Sequence, residues 1–312
     1  MKPAPSIIFF TVASGAGYGL LFWLGVLKPL GLLPASSLFG ATAAIIALAL
    51  IVAGLCSSLL HLGRPERAWR ALSQWRSSWL SREGVAAVLT FLPATVFLIA
   101  LAHDEAGLIL PAGLLSAAGA AVTVYCTGMI YASLKPVKEW HHPMVAPGYL
   151  LFASFSGASL LAMLAIFWGG GFFPALVAAA LGMAALMFKR AYWASVDATP
   201  AASTRESATG LGFIGKVRPL ESPHTESNYL LREMAFRVGR VHAAKLRIIA
   251  LLLGFALPAL LFCLAIILGG GGAAMALGLL AAASAVAGLL VERWLIFAEA
   301  THTVSLYYPT QR

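Results

Sequence analysis

The stretch from Ser37 to Leu60, SLFGATAAIIALALIVAGLCSSLL, decides the fold class because it contains no charged side chain. A helix rises about 1.5 Å per residue, so about 20 mostly apolar residues are needed to cross a hydrocarbon layer about 30 Å thick. The stretch is long enough to do so and is dense in alanine and leucine. It therefore predicts a transmembrane helix.

Seven further stretches have the same character. Together the eight predicted spans are Ile7–Leu27, Ser37–Leu60, Gly84–Ala102, Leu108–Ser133, Pro147–Trp168, Phe173–Ala194, Ile248–Leu268 and Ala273–Ala298. The chain is 60% hydrophobic and 11% charged, with a mean hydropathy of +0.87, far above the values of water-soluble domains. Long runs that are apolar on every face exclude a membrane barrel, whose strands alternate in polarity. The predicted fold class is all-α, a polytopic integral membrane bundle of about eight transmembrane helices.

The basic residues lie almost entirely on one side of these spans. With eight crossings, both termini and the loops after spans two, four and six share one side of the membrane. Of the 21 lysines and arginines, all except Lys28 fall on that side. The positive-inside rule then predicts that both termini are cytoplasmic. The first apolar run follows a single lysine, Lys2, and shows no convincing cleavage site, so it is interpreted as the first span.

Residues 1–312 are interpreted as a single transmembrane domain with one sizeable polar segment, at about 195–247. Its first half is rich in glycine and proline and predicts an irregular loop. Its second half, 229–245, places apolar residues at helical spacing against basic ones. This pattern predicts a surface helix. The helix could lie on the membrane or form a docking face for a soluble partner, and the pattern fits both equally.

The most chemically suggestive segment runs from His61 to Glu83, HLGRPERAWRALSQWRSSWLSRE, between spans two and three. Antiparallel neighbours bring the end of one span and the start of the next to the same depth, so we expect His61 and Glu83 to be close. Imidazole titrates near neutral pH, and a carboxyl group in poorly hydrated surroundings exchanges protons in a similar range. The pair could accept the protons of a quinol while Arg64 or Arg82 positions an oxygen. The simpler alternative is that His61 caps a helix and Glu83 pairs with an arginine as an interfacial anchor.

Four short motifs resemble those of a known family. HLGRP (61–65), RAW (67–69), SWLSRE (78–83) and ERWLIFAE (292–299) are similar to stretches in the membrane anchor subunits of dimethyl sulfoxide reductase and related complex iron–sulfur molybdoenzymes. The resemblance extends over most of the chain, including the eight-span layout. It implies an anchor in the bacterial inner membrane that exchanges electrons between the quinone pool and an iron–sulfur chain.

The resemblance also implies partners and a site. The partners would be a four-cluster iron–sulfur subunit and a molybdopterin catalytic subunit, with membrane lipid and no nucleic acid. His61 and Glu83 would inherit the catalytic role in quinol oxidation, and Arg64, Trp79 and Arg82 would complete a site for menaquinone or ubiquinone. Sulfite-oxidising complexes use a similar anchor and pass electrons into quinone, so the direction of electron flow and the terminal substrate stay open.

The chain itself is expected to bind neither haem nor an iron–sulfur cluster. Its seven histidines all fall at predicted span ends or in loops, whereas a bis-histidine haem needs two rings at one depth inside the bundle. Three scattered cysteines cannot supply the four thiolates of a cluster. His141 and His142 have no third ligand nearby and are interpreted as part of an interfacial loop.

Glu292 and Arg293 stand out because charged residues near a span usually face the bundle interior and pair. They predict either a structural ion pair near the membrane edge or a supporting role beside the quinone site. Two other functions compete with the quinone-reactive anchor. A secondary transporter would need broken helices and ionisable residues at the midplane, and a purely structural anchor would differ only in that His61 and Glu83 do not touch quinone.

Overall fold

The computed structural model describes residues 3–60, 62–200, 203–221 and 242–307. Within these ranges the chain is helical, and its only extended pairing is an isolated bridge between Val137 and His302. Eight helices are long and apolar enough to cross a membrane, which confirms the predicted all-α polytopic bundle. We number the helices α1 (Pro5–Leu27), α2 (Ser37–Leu59), α3 (Trp79–His103), α4 (Ala106–Ala132), α5 (Val145–Phe167), α6 (Phe172–Ala198), α7 (Arg205–Thr209), α8 (Ala243–Leu268) and α9 (Gly271–Ala298).

The observed bounds differ from the predicted ones in two places that affect the site. The third span begins at Trp79 rather than Gly84, because the Ser78 side chain caps the helix at Ser81. Trp79, Arg82 and Glu83 are therefore part of a helix rather than of the preceding loop. The polar segment is also shorter than predicted, since α6 continues to Ala198 and α8 already begins at Ala243. The predicted surface helix falls mostly within 222–241, outside the described residues.

Helix α1 lies at the centre of the bundle and packs against α2, α4, α5 and α9. Small residues make these crossings close, as is usual where lipid removes the hydrophobic drive for helix association. Gly19 of α1 meets Gly157 of α5 so tightly that a Cβ atom on either glycine would overlap the opposing backbone. Gly25 meets Gly113 of α4 in the same way. These contacts hold α4 and α5 side by side around α1.

The helices alternate in direction, so one face of the bundle carries the start of α1, the end of α9 and the segments before α3, α5 and α8. We call it the basic face, because the order of the spans in the sequence places every lysine and arginine except Lys28 on this side. Helix α8 contains a π-helical turn at Leu252–Ala256, where Gly254 packs against Gly288 of α9. Helices α3, α4, α5, α6 and α9 all begin or end at the basic face, and the polar residues described next lie near those ends.

Candidate functional site

The segment before α3 folds back over the first turn of that helix. Pro65–Gln74 forms a 3₁₀ helix that exposes Trp69 and Trp75. The Ser81 hydroxyl donates to the carbonyl of Ala71, and the Arg82 guanidinium donates to the carbonyls of Trp75 and Arg76 at 2.9 and 2.8 Å. The segment is thereby fixed to α3 by side chains of α3 itself.

Three of the predicted quinone-site residues come together at the start of α3. The Arg82 guanidinium lies 4.2 Å from the centre of the Trp79 ring, and that ring packs edge-on against Tyr125 of α4 at 6.0 Å. Glu83 follows directly and points into the bundle. Arg64 is exposed at the start of the 3₁₀ helix, and His61 lies outside the described residues.

Glu83 is the most unusual of these residues because its carboxyl group is buried without a cation. The side chain is 5% exposed. The Thr127 hydroxyl of α4 donates a hydrogen bond to Glu83 Oε1, and in the described part of the chain no lysine, arginine or histidine forms an ion pair with it. A carboxylate in such surroundings is costly to keep charged, so this group is suited to gaining and losing a proton. The alternative in which Glu83 pairs with Arg82 or Arg64 is not what this geometry shows.

A layer of aromatic rings lies beside a second polar group. Tyr131 of α4 stacks on Tyr149 of α5 with ring centres 5.5 Å apart, and Trp140 and Phe297 pack against Tyr131 at 5.3 and 5.5 Å. The guanidinium of Arg293 lies 3.9 Å from the centre of the Tyr149 ring. Cation and ring attract each other in this arrangement.

The second polar group is a triad of charged side chains, Lys189 of α6 and Glu292 and Arg293 of α9. Lys189 Nζ lies 2.5 Å from Glu292 Oε1, and Arg293 Nη1 lies 3.5 Å from Glu292 Oε2. The three side chains are only 2%, 0% and 4% exposed. The sequence predicts that Glu292 and Arg293 face the bundle interior and pair, and here they are buried and lie beside each other, with Lys189 as a further partner.

Sequence reasoning missed Lys189, Thr127 and Tyr149. A lysine inside an apolar span was an available signal, since a charge there is expensive unless it is paired. A threonine or tyrosine in a span is common, and only the packing of α4 and α5 shows that these two adjoin charged groups.

Three cavities adjoin these residues. A small one of about 20 Å³ lies between α1, α4, α5 and α9 and is reached by Thr127, Tyr149 and Arg293. A large apolar groove of about 1000 Å³ runs along α3 and α4 toward the lipid, from Arg82 and Trp75 near the basic face down to Leu108. Arg82 and Trp75 place a cationic and an aromatic group at one end of a groove that is otherwise hydrocarbon.

The third cavity, of about 270 Å³, opens at the basic face and is lined by charged and aromatic side chains. Here Arg247 of α8 bonds both Asp197 at 2.6 Å and Glu299 at 2.8 Å. Burial raises the pKa of Glu299 above its ordinary value, and Arg247 only partly opposes this. Near this cavity His142 Nε2 lies 3.0 Å from the Ser195 hydroxyl, and burial lowers the pKa of the His142 ring.

Metal ligands do not gather anywhere in the described residues, where no three histidine, cysteine, aspartate or glutamate side chains come together. The three cysteines are unpaired, with Cys126 buried beside the groove and Cys56 and Cys263 exposed on the helix surface. Beside the apolar groove, the described residues offer the buried Glu83 carboxyl group and the guanidinium of Arg82.

Comparison with known proteins gives consistent matches over the whole chain. The family described as DMSO reductase anchor subunit (DmsC) matches residues 1–308. A sulfite dehydrogenase subunit of Allochromatium vinosum is 34% identical over 328 aligned residues, which cover 99% of each chain. No solved structure matches the chain.

Proposed function

The chain belongs to the DMSO reductase anchor subunit family, and from this premise we propose that it is the quinone-reactive membrane anchor of a molybdenum oxidoreductase complex. It exchanges electrons between the membrane quinone pool and an iron–sulfur partner subunit. That partner carries four clusters and passes electrons to or from a molybdopterin subunit. The membrane is the bacterial inner membrane, with both termini of the anchor in the cytoplasm.

The observation that carries the proposal is the buried Glu83, held by Thr127 and not paired with a cation among the described residues. A quinol loses two protons together with its two electrons, so its oxidation needs a base beside the headgroup. A purely structural anchor has no use for a buried carboxyl group that lacks a counter-charge, because such a group costs free energy.

The groove along α3 and α4 supports the same proposal. It offers an apolar surface for an isoprenoid tail, with Arg82 and Trp75 at the end nearest Glu83. In the proposed site Glu83 and His61 take the protons, while Arg64, Trp79 and Arg82 hold the headgroup of menaquinone or ubiquinone. Glu292 and Arg293 support the site from behind the aromatic layer.

The anchor contributes no haem and no iron–sulfur cluster in this proposal, so electrons pass directly from the bound quinol to a cluster of the partner. A purified complex whose dithionite-reduced spectrum shows a b-type haem band assigned to this chain would contradict that view. The relative from Allochromatium vinosum belongs to a sulfite dehydrogenase, and a sulfite-oxidising partner would drive electrons toward quinone. The identity of the copurifying catalytic subunit decides the direction.

The test is quinol-linked turnover of the intact complex with Glu83→Gln and His61→Ala. Loss of a general base costs about 100-fold or more, so we expect each variant to lose at least that factor while the partner subunits still copurify. Glu66→Gln is the matched control, because Glu66 lies exposed in the same segment. Normal turnover in both Glu83→Gln and His61→Ala would leave a purely structural anchor as the better description.

A further inference from the structure

Half of the residues that line the small cavity between α1, α4, α5 and α9 carry a polar side chain. Its volume of about 20 Å³ is close to what one water molecule needs, and a water there would find several hydrogen-bonding partners. The polar side chains that line it are Thr11, Ser14, Thr127, Tyr149, Ser156 and Arg293. Of these six residues, only Thr127 and Arg293 have a role in the proposed quinone site.

One wall of the cavity leads to Glu83. Thr127 lines the cavity and its hydroxyl is bonded to the Glu83 carboxyl group. A hydroxyl group can accept one proton while it donates another. The cavity is thus one hydroxyl group away from the proposed proton acceptor.

The opposite wall leads to the charged triad. The Tyr149 hydroxyl faces that of Tyr131 but makes no hydrogen bond of ordinary geometry with a described residue. Glu292 Oε2 likewise accepts no hydrogen bond within the described part of the chain, although Arg293 lies 3.5 Å away. Buried polar atoms are normally satisfied. The Tyr149 hydroxyl therefore points to a hydrogen-bonding partner in the small cavity that Tyr149 lines, and Arg293, which also lines the cavity, lies beside Glu292.

The triad in turn adjoins the cavity at the basic face. Lys189 Nζ lies 4.3 Å from the centre of the Tyr192 ring and 4.7 Å from that of Trp193, and both rings line that cavity. Glu299 lines it as well and binds Arg247 at 2.8 Å, and the guanidinium of Arg247 lies 5.1 Å from the centre of the same Trp193 ring. Polar groups therefore follow one another from Glu83 to the basic face.

We propose that this succession is a proton relay that connects Glu83 with water at the basic face, through Thr127, the small cavity, Tyr149, the Lys189–Glu292 pair and Glu299. The proposal rests on the proposed function, because it gives the proton that Glu83 takes from quinol a route that avoids the quinone groove. Arg293 does not titrate and serves to orient Tyr149 and Glu292.

The complete series of transfers returns each group to its starting protonation state. Quinol oxidation gives two electrons to the partner subunit, one proton to Glu83 and the other proton to the second base of the proposed quinone site. Glu83 passes its proton to Thr127 as the Thr127 hydroxyl proton moves to water in the cavity. That water gives a proton to the Tyr149 hydroxyl as the Tyr149 proton passes to the Glu292 carboxylate. Lys189 gives a proton to Glu299 and takes one from Glu292. Glu299 then releases its proton to water at the basic face.

The first test compares two buried tyrosines in the intact complex. Tyr149→Phe removes the hydroxyl that borders the cavity, whereas Tyr18→Phe removes a buried, unpartnered hydroxyl that, among the described residues, does not line it. Proton release in a single turnover is followed by stopped flow with a pH-sensitive dye. We expect at least a tenfold slower release in Tyr149→Phe, a larger solvent deuterium effect, and wild-type behaviour in Tyr18→Phe. Equal rates in all three proteins would overturn the relay.

The second test addresses the exit, and does not depend on whether Tyr149→Phe assembles. Glu299→Gln removes the last proton acceptor, and Asp197→Asn neutralises the other carboxylate that binds Arg247. We expect proton release to slow at least tenfold in Glu299→Gln and to stay unchanged in Asp197→Asn. An equal effect of both substitutions would assign Glu299 to the Arg247 ion pair alone and contradict the exit.

Failure of the relay and failure of the quinone site give different results. The affinity for a quinone analogue should be unchanged in Tyr149→Phe and Glu299→Gln, because neither residue lies at the groove. If Glu83→Gln abolishes turnover while both relay variants release protons normally, only the relay is wrong. If Glu83→Gln itself turns over normally, Glu83 is not the proton acceptor and the relay is wrong. If His61→Ala also turns over normally, the proposed function is wrong as well.

Discussion

The Thr127 hydroxyl on α4 donates a hydrogen bond to the Glu83 carboxyl group on α3. The two residues are far apart in the sequence, and the hydrogen bond forms because α3 and α4 pack as antiparallel neighbours over most of their length. It is the contact that fixes the orientation of a carboxyl group which, among the described residues, has no cation to hold it. The predictions below test this contact and the packing around it.

Thr127→Val removes the hydroxyl with little change in side-chain volume and leaves Glu83 without this partner. A buried polar group that loses its hydrogen bond costs about 1–3 kcal/mol, so we expect quinol-linked turnover to fall about tenfold. Thr95→Val on α3 is the control, since Thr95 is exposed and, among the described residues, its side chain bonds only the carbonyl of Phe91. Turnover equal to wild type in Thr127→Val would show that the hydrogen bond does not orient Glu83 for catalysis.

Lys189→Met leaves the Glu292 carboxylate buried with only the longer contact to Arg293. Breaking a buried pair by removing one partner costs about 3–5 kcal/mol, whereas replacing both partners can be neutral. We therefore expect a large drop in the thermal unfolding temperature for Lys189→Met and recovery of most of it in Lys189→Met/Glu292→Gln. The measurement is thermal unfolding of the detergent-solubilised chain. A double variant as unstable as the single one would mean that packing, rather than charge, explains the loss.

Gly157→Ala tests the crossing of α1 and α5. A Cβ atom at this position would overlap the backbone carbonyl carbon of Gly19, so the helices must separate. Overpacking of this kind costs about 1–3 kcal/mol, and we expect a lower unfolding temperature and less assembled complex. Gly107→Ala, at the start of α4, meets no described atom within 4 Å and should be neutral. Similar stabilities of the two variants would contradict the close crossing.

His142 predicts a pH dependence of stability. Because burial lowers the pKa of its ring in the folded chain, the unfolded chain binds the proton more readily, and stability increases with pH across the window between the two pKa values. The stability that depends on a neutral His142 is fully present above the ordinary histidine pKa of about 6.5. It is lost as the pH falls from there through the lower pKa of His142 in the folded chain. We expect unfolding temperatures to decline below about pH 6.5 in wild type and to decline less in His142→Gln. Parallel pH profiles for the two proteins would exclude His142 as a source.

The sequence determined the eight spans and the family, because both depend on local properties. A run such as 37–60 must cross a membrane whatever its neighbours are, since its length and apolar character match the hydrocarbon layer. The motifs at 61–65, 78–83 and 292–299 are contiguous and could be recognised without any tertiary contact. Glu83 could be singled out for the same reason, as a carboxyl group at the boundary of a span.

The tertiary structure decided which polar residues meet. Glu83 adjoins Thr127, and Lys189 adjoins Glu292, because neighbouring helices bring residues distant in sequence to one depth. The sequence pattern of one helix does not show which face of the neighbouring helix packs against it. The small cavity and the unpartnered Tyr149 hydroxyl arise from the packing of four helices together. The sequence predicted that Glu292 and Arg293 pair inside the bundle, but only the packing of α6 against α9 shows that Lys189 is the nearest partner of Glu292.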